Sequence, residues 1–188
     1  MNNLTQKSIE ALQRAHQLTQ QYNHNAVTDV ALLAAFLEQE ENSVRAILDK
    51  LRINRQVLYE DVLRSLGDIN SYGNNLKMSG GASRPDNMFA TMPQQLHISA
   101  QLHNIFIRAQ KEAQKFSDEF VSVEHLFLAM IDTASMSRDL LEKAHLISPP
   151  SIGEPAQPIT YQSVLNILRE IRGNVRSCLL YASPSPRD

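Results

Sequence analysis

The chain has 188 residues, 43% hydrophobic and 20% charged, with 18 basic against 20 acidic side chains and a formal net charge of −2. A balance so near neutrality excludes a generally basic nucleic-acid binder and a polybasic membrane anchor, and no run reaches the roughly 18 apolar residues of a bilayer span. The start Met1-Asn2-Asn3-Leu4-Thr5-Gln6-Lys7 lacks the basic-then-apolar order of a secretory signal, and the single Cys178 forms no internal disulfide, so a reducing cytoplasm is the expected setting.

In chain order, Leu4, Ser8, Ala11, Leu12, Ala15, Leu18 and Tyr22 recur at three- and four-residue steps and predict a helix from Leu4 to Tyr22, with Thr5 near its start as a capping type. Asn23-His24-Asn25 interrupts the pattern. Thr28-Asp29 then opens a second helix through Leu32 and Phe36, Thr28 as cap and Asp29 favoured by the helix dipole. A short helix is expected around Val44 to Leu51, and another from about Gln56 to Leu66, stopping at Gly67. Residues 68–95 carry no sustained period. Gly73, Gly80, Gly81 and Ser83-Arg84-Pro85-Asp86 punctuate them, so they read as a long flexible connector. Met78, Met88, Phe89 and Met92 lie within it, adaptable apolar residues that suit either an incidental linker or reversible docking over a groove.

Helical spacing returns at Leu96 and runs to Phe116. At a fixed offset of 94, Leu4-Thr5 falls on Ile98-Ser99, Arg14-Ala15 on Arg108-Ala109, Tyr22 on Phe116, Val27-Thr28 on Val121-Ser122 and Leu32 on Leu126. Residues 4–37 show six identities to 98–131 without a gap. Two helices and their intervening turn coincide in register, which points to duplication. The second copy continues less regularly: Ile47-Leu48 corresponds to Leu140-Leu141, and Val62-Leu63-Arg64 to Ile167-Leu168-Arg169. Between them lies a Pro-rich insertion from Ser148-Pro149-Pro150 to Pro158, before a last helix capped by Thr160 and ending at Gly173. The expected fold is all-α: eight helices as two tandem four-helix repeats, 1–67 and 96–173, joined by the 68–95 connector and packed about a pseudo-twofold axis. Residues 174–188 are expected to be a linker stub and a tail foreign to the domain, the stretch from Ser177 to Asp188 abandoning the helical period; a natural disordered terminus is the alternative.

No G-x-x-x-x-G-K-[ST] loop is present to cradle nucleotide phosphates. The six histidines show no i,i+4 ligand pair and no cysteine partner, so neither metal nor cofactor is expected. No nucleophile-elbow pattern appears, and the chain is not expected to be an enzyme.

The stretch Ala113-Gln114-Lys115-Phe116-Ser117-Asp118-Glu119-Phe120-Val121-Ser122-Val123-Glu124-His125-Leu126 resembles the second repeat of the Clp N-terminal repeat domain of AAA+ unfoldases, with its G/S-D-x-F-[IV]-[GS]-x-E-[HL]-[LF] pattern. The ending Ile167-Leu168-Arg169-Glu170-Ile171-Arg172-Gly173-Asn174 and the start Leu4-Thr5-Gln6-Lys7 are similar to the ClpB-type disaggregases of that family. The likeness covers about residues 1–176. Two features depart from it: Val30-Ala31 stands where the first repeat often has Glu-His, and the connector and Pro-rich insertion are long.

The resemblance implies an N-terminal module that captures unfolded or aggregated polypeptide, or an adaptor protein, for ATPase rings absent from this chain. ATP and the hexamer belong to such a full-length parent. It also associates Thr5, Asp118 and Glu124 with substrate contact, as a polar rim beside an apolar groove. The same three residues suit helix termini, as a hydroxyl cap and two carboxylates near helix starts. Two other functions fit the pattern: a stand-alone Clp-repeat adaptor or regulator, and the N-domain of a ClpC- or ClpA-type protease partner.

Overall fold

A computed structural model describes residues 3–69, 97–149 and 154–182 of the chain. The connector methionines Met78, Met88 and Met92 with Phe89, and the tail from 183 on, lie outside the described residues. The eight expected helices are present, with one extra four-residue turn. They are α1 (Gln6–Gln21), α2 (Asp29–Glu38), α3 (Ser43–Lys50), α4 (Arg55–Ile69), α5 (Ala100–Lys115), α6 (Val123–Asp132), α7 (Met136–Glu142), the turn α8 (Ala144–Ile147) and α9 (Tyr161–Ala182). Two short strands, β1 (Asn3–Leu4) and β2 (Phe120–Val121), pair in parallel.

The duplication is legible atom by atom. Helices α1 and α5 begin 94 residues apart, as do α2 and α6. Thr5 Oγ1 accepts from the Ser8 N–H at 3.3 Å and Ser99 Oγ from the Leu102 N–H at 3.2 Å, each hydroxyl capping the first turn of its helix. Arg14 pairs with Glu38 on one copy and Arg108 with Asp132 on the other. Leu4 belongs to a strand and not to the first helical turn. The Thr5 N–H donates to the Val121 carbonyl at 3.1 Å, and an extended Thr5 turns the chain into α1. The mirrored contact is the Ser99 N–H on the Val27 carbonyl at 2.9 Å, beside the bridge of Val27 to Ile98. Each copy therefore sends its leading strand to the inter-helix turn of the other, which is what a pseudo-twofold axis requires.

Helices α2 and α6 form the centre. Every residue of α2 but Glu38 is buried, and Phe36, Phe106 and Phe127 are fully enclosed. Across the axis α2 packs on α7 and α6 on α3. The Asp29 carboxylate accepts from the Ser137 N–H at 2.8 Å, tying the start of α2 to that of α7.

Two helix ends differ from expectation. Helix α4 passes through Gly67 to Ile69, and α9 passes through Gly173 to Ala182. A glycine costs a helix only about 1 kcal/mol relative to alanine, and the residues after Gly173 are compatible with helix as far as Ala182. Pro184, which cannot continue an α-helix, follows two positions later.

Candidate functional site

The positions of Asp118 and Glu124 follow from two local rules. Helix α5 ends with Ser117 in the left-handed region at φ 60°; the Ser117 N–H returns to the Gln114 carbonyl and the Asp118 N–H to the Ala113 carbonyl at 2.9 Å. This is a Schellman turn. Copy one repeats it with Asn23 at φ 59° and the His24 N–H on Thr19 at 2.9 Å, so His24 occupies the place of Asp118. Glu124 stands in the first turn of α6, which Ser122 and His125 close as a capping box: the Ser122 N–H donates to His125 Nδ1 at 2.8 Å.

Both carboxylates meet on Arg172 of α9. Its Nη2 lies 2.6 Å from Asp118 Oδ2, its Nε donates to Glu124 Oε2 at 2.9 Å, and Nη2 also reaches Glu124. The guanidinium sits 4.4 Å above the Phe116 ring. His125 Nε2 donates to Asp118 Oδ2 at 2.8 Å, and the Ser43 hydroxyl donates to Glu124 Oε1 at 3.0 Å. Burial opposes the charge on Asp118, but the Arg172 hydrogen bonds and charge outweigh it and hold the carboxyl below its usual range. Burial of His125 outweighs its acidic neighbours and lowers its pKa. The imidazole is therefore neutral at pH 7, its proton on Nε2, because Nδ1 accepts from the Ser122 N–H.

Two chemistries suggest themselves here, and the hydrogen bonds already made count against each. Ser122, His125 and Asp118 follow one another in the order of a hydrolytic triad, with Ser122 Oγ 3.0 Å from His125 Nδ1. That nitrogen has one in-plane lone pair, already engaged by a backbone N–H, so the imidazole cannot take a proton from the hydroxyl. The donor atoms of Asp118, Glu124 and His125 lie within 4.8 Å of one another, a spacing that suits a metal. The cation between the carboxylates is Arg172 itself, and His125 presents to Asp118 a proton where a metal ligand needs a lone pair.

Thr5 is not part of this network. It lines an adjoining groove of about 600 Å³ with Ser43, Ala46, Ser122, Val123 and Ile171, a surface mostly apolar. The starts of α1, α3 and α6 converge there, while α9 supplies Ile171. Ser43 belongs to both features, lining the groove and bonding to Glu124. The structure thus unites Asp118 and Glu124, and sets Thr5 in the adjoining groove, bonded to Val121 of the strand that precedes α6. Sequence reasoning missed Arg172, Phe116, His125 and Ser43 as partners. Arg172 is 48 residues from Glu124 and Ser43 is 81 residues away, so no local spacing joins them.

A duplicated helical domain, its halves exchanging strands about a pseudo-twofold axis and enclosing an apolar groove at converging helix starts, defines a paired-repeat module. The Clp repeat (R) N-terminal domain family matches residues 3–144, and the chain belongs to that family. It is 28% identical over 174 residues to the chaperone protein ClpB of Clostridium tetani and 25% identical over 179 residues to that of Bacillus cereus, covering 92% and 94% of this chain. The chain spans about 17% of the length of each of these relatives. In fold it is similar to the Hsp104 N-terminal domain from Candida albicans, with a TM-score of 0.63, 19% identity and coverage of 91% of this chain and 92% of that one. The N-terminal domain of the Arabidopsis thaliana chaperone ClpD matches with a TM-score of 0.51, 11% identity and coverage of 91% and 96%. Among the described residues no helix is long and apolar enough to cross a membrane.

Proposed function

We propose that the chain is the client- or adaptor-recognition domain of a ClpB-like ATP-dependent disaggregase, taking exposed apolar segments of unfolded or aggregated polypeptide into the groove between α1, α3, α6 and α9. The observation that carries this reading is the groove: its apolar wall is formed by the half-buried Ala46 and Ile171 over the buried Val123, and its rim carries the hydroxyls of Thr5, Ser43 and Ser122 together with Lys7 and Glu41. A shallow apolar surface with a polar rim offers burial without demanding a sequence, so contacts are weak and a client leaves readily. Asp118 and Glu124 serve it indirectly, fixing the α6 start and α9 that form its walls. The matched ClpB relatives are far longer than this chain, so ATP turnover, the hexamer and the threading of clients belong to the proposed parent.

The test is binding of the chain to a permanently unfolded protein, reduced and carboxymethylated lactalbumin, followed by fluorescence anisotropy. Ala46→Glu sets a charge on the groove wall and is expected to weaken binding at least tenfold; Thr5→Ala is expected to weaken it about threefold, the loss of one weak hydrogen bond. Wild-type affinity in Ala46→Glu removes the groove from the function.

A further inference from the structure

The groove and the carboxylate network share their walls. Ser43 lines the groove and donates to Glu124 Oε1, while the other oxygen, Oε2, accepts from Arg172. Ile171, the one described residue of α9 in the groove lining, directly precedes Arg172, and Val123, which also lines it, directly precedes Glu124. One carboxylate therefore holds the start of α3 with one oxygen and α9 with the other.

Upstream, α9 is anchored by the buried Ile167 and Leu168, and Ile171 packs at the edge of the core, so among the described residues Arg172 is the last fastening before Gly173. The Lys50–Glu170 pair, at 3.4 Å with both side chains about half exposed, contributes little. Gly173 follows Arg172 with no atom within 4 Å of where its Cβ would stand, so the helix at that point gains nothing from side-chain packing and is weak as a helix former. Arg172 is a fork planted in two carboxylates over an aromatic ring, a geometry that is either seated or not.

We propose that Glu124 is a relay: it couples occupancy of the groove to the seating of α9 through Ser43 and Arg172, so that a bound apolar segment resting on Ile171 locks the end of α9 down, and an unseated α9 opens the groove and weakens binding. This rests on the reading of the groove as the client site and adds its regulation. Coupling of this kind is reciprocal: whatever factor α9 seating adds to binding, binding adds to α9 seating. Arg172 and Ser43 act as positioning residues that need no contact with the client.

The experiment is hydrogen exchange of the whole chain, read over residues 166–173, with and without reduced and carboxymethylated lactalbumin. In the unliganded chain, Ser43→Ala is expected to speed exchange of these amides several-fold. Arg172→Gln should speed it further, and the double variant no more than Arg172→Gln alone. Ser99→Ala, which weakens a helix cap away from the groove, is the control for general loss of stability and should leave this segment at the wild-type rate. The probe is expected to slow exchange in the wild type but not in Arg172→Gln, which should bind about fivefold more weakly, the lower end of ordinary coupling. An α9 segment indifferent to Ser43→Ala, or wild-type affinity in Arg172→Gln, overturns the relay. A wild-type chain that binds no probe but still answers to Ser43→Ala supports the relay and overturns the client reading.

Discussion

Arg172 replaces at one point what two carboxylates would otherwise lack. Without it, Asp118 and Glu124 face each other beside the Phe116 ring with, among the described residues, Ser43 and His125 as donors. Arg172→Ala is therefore expected to cost roughly 2 kcal/mol, the scale of hydrogen bonds to charged groups discounted for partial exposure, and to raise the pKa of Asp118. Chemical denaturation and carboxyl NMR titration read the two effects separately; an unchanged Asp118 titration would show that Arg172 is not its controlling neighbour. The histidines add a pH dependence. Burial lowers the pKa of both His24, where the Leu66 carbonyl opposes it, and His125, whose acidic neighbours oppose it. A group whose pKa is lower in the folded state keeps its full stabilisation above the unfolded value and loses it on acidification. Stability should thus be level above about pH 6.5, the unfolded histidine value, fall below it as the unfolded chain takes up protons first, and fall again once Asp118 begins to protonate in the unfolded chain near pH 4. Urea midpoints at pH 7.5, 6.5 and 5.5 check the first drop, and His24→Gln should make it shallower.

At the scale of elements, the paired caps and turns supply internal controls that few domains offer. Thr5→Ala and Ser99→Ala each remove a cap from a 16-residue helix and should each cost about 1 kcal/mol. Only Thr5→Ala should also weaken binding, since only Thr5 reaches the groove; equal binding losses in both would mean that stability alone is being read. The Schellman turns give the opposite sign. Ser117→Gly should stabilise by about 0.5–1 kcal/mol because serine tolerates the left-handed region poorly, and Asn23→Gly by less because asparagine tolerates it well. These elements also mark how far the sequence could be read. The helices, the Thr5, Thr28 and Thr160 positions at helix starts and the 94-residue register follow from local periodicity and hydroxyl placement, which lie along the chain. Leu4 was misread because a strand of two residues has no period to show. The ends at Gly67 and Gly173 were misread because glycine weakens a helix without ending it. The acidic pair was legible through likeness to a family, whereas Arg172, which organises it, was not: its partners come from packing α9 against α5 and α6, and nothing in the residues around Arg172 announces that contact.

For the whole molecule, the exchange of strands decides how the duplication behaves. A tandem repeat whose copies merely abutted would leave each able to fold first and dock later. Here the N–H of Thr5 is satisfied by Val121 of the second copy, and that of Ser99 by Val27 of the first. The central helices α2 and α6 bury almost their whole circumference, which neither copy can cover alone, because α2 rests on α7 and α6 on α3. A single copy also has only about 60 to 80 residues, a size at which a chain buries little more than 60% of its unfolded surface. The molecule is therefore expected to unfold in one cooperative step, with circular dichroism and tyrosine fluorescence reporting the same urea midpoint. Peptides covering residues 1–69 and 97–182 should each show weak helicity and a broad, non-cooperative urea response. Mixed at equal concentration they should regain the helical signal and a sigmoidal transition whose midpoint rises with concentration, since the interface that completes each core is now bimolecular. A cooperative transition in residues 1–69 alone would show that a single copy closes its own core, and that the crossed strands decorate the repeats and do not bind them into one folding unit.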